Sequence, residues 1–238
     1  MLQRWALRLT IAGDLRFASH LDCVRAVERT AARAGAPLRF TQGFNPHPIL
    51  SLPCPRPVGV TTCDDLAVLT LDEPTGGEEL ARRMTARAPR GMAFGRPVLL
   101  ASRRTPRPKR IHYELALDAG GDVGSLGPRL ARLETRASWP IERVKPPARR
   151  GRRPRRRTVD LRSLIETIAI TDGGLLQWTA RPQENTWARV DEVLRLVGLD
   201  RPDNRARVIR IHVNYDWPRP EAAATKREEP DVQGNADK

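Results

Sequence analysis

Trp5-Ala6-Leu7-Arg8-Leu9-Thr10-Ile11, then Ser19-His20-Leu21-Asp22 and a run closing at Ala34-Gly35-Ala36-Pro37, is the stretch on which the fold reading turns. Leu7, Leu9 and Ile11 alternate with other residues, as a half-buried strand requires. Ser-x-x-Asp is a cap pattern for a helix start, with Asp in place of the commoner Glu or Gln. The spacing predicts a helix to about Ala34, stopped at Gly35 with Pro37 beyond. Cys23, Val24, Val27, Ala31 and Ala34 fall on one face of it, and Arg25, Arg29 and Arg33 on another at steps of four.

Working outward, Leu38 to Thr41 reads as a short strand, followed by a long loop from Gln42 to about Thr62 stiffened by five prolines. Leu66 to Leu71 is strand-like, Gly77 to Ala88 helical, and Pro97 to Ala101 a further strand. That order, β-α-β-β-α-β, is the split βαβ arrangement. After an Arg/Pro-rich break the order recurs. Ile111 to Leu117 alternates, Leu126 to Arg136 is helical, Ile141 to Lys145 is a short strand, and Ile165 to Thr171 with Leu175 to Ala180 make a hairpin across Asp172-Gly173-Gly174. Trp187 to Val197 has helical spacing and ends at Gly198, and Val208 to Asn214 alternates again. The expected class is α+β, two tandem ferredoxin-like (βαββαβ) halves at 1–102 and 110–217, a linker at 103–109, and a disordered tail at 218–238.

The 238 residues carry 42 Lys+Arg against 28 Asp+Glu, a formal charge of +14. Such a balance favours a polyanionic partner, although Arg, Pro and Ala rise together here as they would from a biased genome. No run approaches the roughly 18 apolar residues of a membrane span, and the first residues lack the pattern of a secretory signal. Cys23, Cys54 and Cys63 are odd in number and far apart, against a disulfide framework. A cytoplasmic protein is expected. Phosphate-loop, nucleophile-elbow and zinc-helix motifs are all missing, as is the Cys-x-x-x-Cys-x-x-Cys spacing of a radical-type iron–sulfur site.

Two places hold candidate chemistry. In Thr41-Gln42-Gly43-Phe44-Asn45-Pro46-His47-Pro48, Gly43 permits positive φ while the prolines stiffen the backbone around Asn45 and His47. Phe44 is either a plug for the core or a face on which a base stacks. At the helix start, Ser19, His20 and Asp22 either cap the helix or surround an anion held by free N–H groups, with Arg25 and Arg29 extending a binding face and Arg33 one turn further. The binding set is therefore Ser19, His20, Asp22, Arg25, Arg29, Gln42, Gly43, Phe44, Asn45 and His47. His20 and His47 are the candidates for any catalysis, as base and acid on RNA. His20, Cys23, His47 and Cys54 are too irregularly spaced for zinc, so no metal is expected. A third block, the basic loop 143–157, contributes Arg149, Arg150, Arg152, Arg153, Arg155, Arg156 and Arg157 as phosphate contacts. Trp178 and Trp187 read as core residues.

Gly13-Asp14-Leu15-Arg16-Phe17-Ala18-Ser19-His20-Leu21-Asp22, with Arg25, Glu28-Arg29, Arg33-Ala34-Gly35 and Pro37, resembles the uncharacterised radical-SAM-linked protein family of bacteria. Gln42 to Pro48 and Pro57-Val58-Gly59 resemble its second block, and Val159-Asp160-Leu161-Arg162 with Asp191-Glu192-Val193-Leu194 its C-terminal part. The chain departs from the pattern at Ile49 and Leu50 and in the length of its Arg/Pro-rich insert. The resemblance implies an accessory role beside a separate radical SAM protein that carries the iron–sulfur cluster and SAM, this chain holding no cofactor itself. Its implied partners are that protein and RNA, in RNA or ribosome-related modification, with no membrane. The competing expectations are a metal-independent endoribonuclease similar in architecture to CRISPR repeat-processing enzymes and a pure protein-interaction module.

Overall fold

The computed structural model describes residues 2–118, 122–145, 154–184 and 186–218. Ten strands and five helices follow one another along it. They are β1 (Gln3–Ile11), α1 (His20–Arg33), β2 (Leu50–Ser51), β3 (Thr61–Leu71), α2 (Gly77–Arg87), β4 (Met92–Leu99) and β5 (Arg107–Ala116). Then come α3 (Asp122–Glu134), β6 (Pro140–Lys145), β7 (Arg155–Asp160), β8 (Ile165–Ile170), β9 (Leu175–Ala180), α4 (Val190–Val197), α5 (Pro202–Arg207) and β10 (Ile209–Asp216). The result is a mixed α/β molecule around one large, mostly antiparallel sheet.

Its strands run in the order β4-β1-β3-β10-β5-β9-β8, with β2 also paired to β3, while β6 and β7 form a separate two-stranded ribbon. The neighbours are antiparallel except for β3 and β10, which run parallel over Thr61–Thr62 and Ile209–Arg210. Leu7, Leu9 and Ile11 of β1 and Ala67, Leu69 and Leu71 of β3 pack with Val27 of α1 and Leu80 and Met84 of α2 in a first core. Ala6, Leu66 and Val68 join a second core with Leu115, Leu126, Trp178, Val193 and Leu194. β3 is thus covered on both faces, which is why it reads as a nearly continuous apolar run rather than an alternation.

Some expected elements differ. Where a strand was expected at Leu38 to Thr41, the chain makes only single bridges, Leu38 to Leu71 and Phe40 to Pro48, and regular pairing resumes at β2 with Leu50 opposite Leu69. β4 begins at Met92, earlier than expected, because Leu9 and Ile11 of β1 hold it opposite Phe94 and Met92. β5 starts at Arg107, inside the segment expected to link the halves. α5, with Pro at its first position, was not foreseen. No described helix is long and apolar enough to cross a membrane.

Two buried arginines fix the segment Pro53 to Val60 against the rest. Arg56 donates to the carbonyl oxygens of Leu15, Arg16, Ala18, Pro57 and Val60 and to Cys23 Sγ. Arg210, 1% exposed, reaches the same segment from β10. Its Nη1 donates to Asp65 Oδ1 at 2.7 Å and to the Cys54 carbonyl at 3.2 Å, and its Nη2 to the Pro55 carbonyl at 3.0 Å and the Tyr113 hydroxyl at 3.3 Å.

Candidate nucleic-acid interface

The loop after Phe40 leaves the sheet and returns to it at Pro48. Thr41 closes its neck: Thr41 N–H donates to the His47 carbonyl at 2.9 Å, and His47 N–H donates to Thr41 Oγ1 at 3.1 Å. His47 Nδ1 lies 3.1 Å from the Asn45 carbonyl oxygen and 3.4 Å from Thr41 Oγ1, so the imidazole braces its own loop. Gly43 takes φ +140°, which a side chain would strain. Residues Gln42 to His47 are all exposed, and Phe44 is fully so. Of the two readings open for Phe44, the core plug is therefore not what the structure shows. Phe40 is a second exposed ring at the base of the same loop.

At the start of α1, Ser19 Oγ accepts from Asp22 N–H at 3.2 Å and donates to Asp22 Oδ2 at 2.6 Å. That hydrogen bond from Ser19, with the nearby charges of Arg25 and Arg29, holds the Asp22 carboxyl below its usual range. The carboxylate and the cap occupy the helix terminus themselves, so this end of α1 offers little room for a second anion. Arg25 and Arg29 are exposed one and two turns along, Arg25 3.8 Å from Asp22. Arg33 turns instead to the carbonyl of Arg87, at 2.9 Å, and tethers α1 to the end of α2. His20 is half-buried. No hydrogen bond or ring contact joins it to His47, so the structure does not bring the two candidate catalytic groups into contact. Among the described residues no group of three or more His, Cys, Asp or Glu is placed to hold a metal.

The basic block divides. Arg149, Arg150, Arg152 and Arg153 lie outside the described residues. Arg155, Arg156 and Arg157 stand exposed on β7, opposite Lys145, Val144 and Arg143 of β6, with Arg156 paired to Glu142 at 2.7 Å. Arg143, taken from sequence as the start of a phosphate-binding loop, is committed elsewhere. Its Nε and Nη2 donate to the two carboxylate oxygens of Glu192 at 2.6 and 2.7 Å, and this ion pair fastens the ribbon to α4.

Sequence reasoning passed over the other two histidines. His112 of β5 and His212 of β10 are cross-strand partners, their ring centroids 5.6 Å apart. His212 Nδ1 donates to Asp64 Oδ2 at 2.5 Å, and Asp64 also takes Arg8 at 2.9 Å. Between the rings, Asn214 Oδ1 accepts from His112 Nε2 at 2.7 Å and Asn214 Nδ2 donates to His212 Nε2 at 3.3 Å. Thr179 Oγ1 lies 3.0 Å from His112 Nδ1. A hydrogen-bonded chain thus crosses β3, β10, β5 and β9. The signal was present: Arg110-Ile111-His112 and Arg210-Ile211-His212 repeat one triplet in two strands.

Residues 4–193 match the model of a family described as "Uncharacterized protein conserved in bacteria (DUF2344)". No curated protein matches the chain. Among solved structures, a crystal structure of an unknown protein from Galdieria sulphuraria is similar over 76% of this chain and 81% of its own, at 13% identity and a TM-score of 0.23.

Proposed function

Since the chain belongs to this family of uncharacterized proteins conserved in bacteria, we propose that it is an accessory module, itself non-catalytic, that binds single-stranded RNA. The observation that carries this reading is Phe44, a fully exposed ring at the tip of a loop whose neck is closed by hydrogen bonds. An aromatic side chain held out in water costs hydration free energy and recovers it when a base stacks on it, and stacking does not depend on which base it is. The exposed guanidinium groups of Arg25, Arg29, Arg155, Arg156 and Arg157 and the charge of +14 supply the phosphate attraction.

In this reading RNA is presented to a separate radical SAM protein in the cytoplasm, and the iron–sulfur cluster and SAM belong to that partner. The resemblance of the Gly13 to Pro37 and Gln42 to Pro48 blocks supports the partnership. An exposed free thiol, Cys63, fits a reducing compartment. We also read the molecule as two tandem ferredoxin-like halves. The repeated strand orders β4-β1-β3-β2 and β10-β5-β9-β8 support that, with the β6–β7 ribbon as an insertion in the second half.

The test is fluorescence anisotropy of a labelled single-stranded RNA across salt concentration. Affinity is expected to fall by orders of magnitude between about 50 and 200 mM salt, and Phe44→Ala to weaken binding by about 1–3 kcal/mol with no change in thermal stability. A flat salt response, or equal binding by Phe44→Ala, overturns the reading. Co-purification of a radical SAM protein with the tagged chain tests the partnership on its own.

A further inference from the structure

None of the residues around one cavity belongs to the loop or helix face just described. Pro55 and Pro57 of the proline-rich segment, Tyr113 of β5, Trp187 and Arg189 ahead of α4, and Arg210 of β10 line a space of about 290 Å3. That is near the lower end of small-ligand pockets, which begin at about 300 Å3, room for one base or nucleoside. Trp187, read from sequence as a core residue, packs against the second core while half-buried, and it also forms part of this wall. Four prolines, the Tyr113 phenol and the Trp187 indole make up about half of the lining.

The polar groups are few and unevenly served. Arg210 Nε–H is buried with no hydrogen-bond partner among the described residues, although its Nη atoms are engaged by Asp65, Cys54, Pro55 and Tyr113. A buried donor without an acceptor is a standing cost that a ligand oxygen or ring nitrogen removes. The Tyr113 hydroxyl accepts from Arg210, and burial keeps its proton in place, so it too has a hydrogen bond to give. Burial likewise pushes the Cys54 thiol up to about 11, which leaves recognition at this floor non-covalent. Arg189, also in the lining, is exposed and lies 3.9 Å from Glu192, and the Asp191 carboxylate beside it is 3.8 Å from Arg205.

We propose that this cavity binds one planar heteroaromatic ring of nucleobase size, stacked on Trp187, with a carbonyl oxygen or unprotonated ring nitrogen turned to Arg210 and the attached phosphate met by Arg189. The ring comes either from a free nucleotide or from a base unstacked from single-stranded RNA; the second source rests on the RNA-binding reading above.

The experiment measures binding of guanosine and uridine and of their 5′-monophosphates, with ribose 5-phosphate as the control without a ring, and of two labelled oligonucleotides, one with bases and one abasic. Proteins compared are wild type, Trp187→Ala, Trp187→Phe and Arg189→Ala. Trp187→Ala is expected to lose about 10-fold toward whichever base-bearing probe binds, while Trp187→Phe retains it and the abasic oligonucleotide is unaffected. Arg189→Ala weakens the monophosphates several-fold but not the nucleosides, which keeps the test decisive if Trp187→Ala does not fold. Nucleotide binding without oligonucleotide binding supports the cavity with a free nucleotide as its ligand and removes the RNA reading alone. Oligonucleotide binding that depends on the bases but is unchanged in Trp187→Ala, together with no nucleotide binding, overturns the cavity and leaves the RNA reading standing; binding that is the same with or without bases overturns both. Ribose 5-phosphate bound as tightly as the nucleotides also overturns it.

Discussion

Arg110-Ile111-His112 and Arg210-Ile211-His212 are the same three residues in two paired strands, yet their arginines have opposite fates. The β10–β5 register sets Arg210 opposite Tyr113 and His212 opposite His112, so Ile211 is an extra residue in β10, a bulge. Without it Arg210 and His212, two apart, would share a face, as Arg110 and His112 do. With it Arg210 turns into the interior while His212 stays at the surface. Arg110 of β5 pairs with Glu166 in solvent at 2.6 Å. A buried guanidinium needs a counter-charge, and Asp65 provides it at 2.7 Å. Removing that partner alone is expected to cost about 3–5 kcal/mol. Asp65→Asn should therefore lower the urea midpoint sharply, whereas the double replacement Asp65→Leu with Arg210→Met removes the stranded charge but also the donor to the Cys54 and Pro55 carbonyls, so it should recover only part of the loss. The repeated triplet was legible in the sequence; the bulge was not, because it depends on pairing with a strand about a hundred residues away.

At the scale of elements, α4 and the β6–β7 ribbon stand or fall together through Glu192. This carboxylate accepts the backbone N–H of Arg189 at 2.9 Å, capping α4, and both arms of Arg143. Burial on its own would raise the Glu192 carboxyl; the hydrogen bonds from Arg143 and Arg189, with their charges, outweigh it and hold the group below its ordinary value of 4.5. A carboxyl whose pKa is lowered by folding contributes stability that is complete above its unfolded value and is lost as pH falls through the folded one. Unfolding free energy measured from pH 6 downward should thus decline below about pH 4.5, and Glu192→Gln should be less stable at pH 6 with a shallower acid decline. A decline of unchanged slope in Glu192→Gln would remove this assignment.

How far the elements could be read follows from what each rests on. β1 and α1 carry local signals, alternation and a Ser19 cap, and the structure has both. β2 does not, since Leu38 bridges β3 and Phe40 bridges Pro48, but regular pairing waits for Leu50 beyond the loop. The ribbon does not either: Arg155-Arg156-Arg157 has no apolar alternation, and only cross-strand pairs such as Ile141 with Val159 make it a strand. In the candidate interface, Gly43 and the prolines announced a held loop, but the exposure of Phe44 depends on how that loop leaves the sheet.

Across the whole molecule, β3 is the wall that two cores share, and β10 joins it by a parallel contact two residues long. So short a seam needs reinforcement: Arg210 of β10 binds Asp65 of β3, and Asp64 of β3 accepts from Val213 N–H, while Arg56 ties the proline-rich segment beside them to the residues ahead of α1. Most of the oxygens the two arginines bind are main-chain carbonyls: Leu15, Arg16, Ala18, Pro57 and Val60 for Arg56, Cys54 and Pro55 for Arg210. Arg56→Met would take the side-chain donor from the Ala18 and Val60 carbonyls, while those of Leu15, Arg16 and Pro57 keep backbone N–H partners, an expected loss of about 1–3 kcal/mol visible as a lower urea midpoint. A carbonyl is present whatever side chain the residue carries. The surrounding positions are therefore free to drift in identity while the junction keeps its geometry, and a saturating scan of residues 53 to 60 should find Arg56 far less tolerant of replacement than exposed neighbours such as Pro55 and Val58.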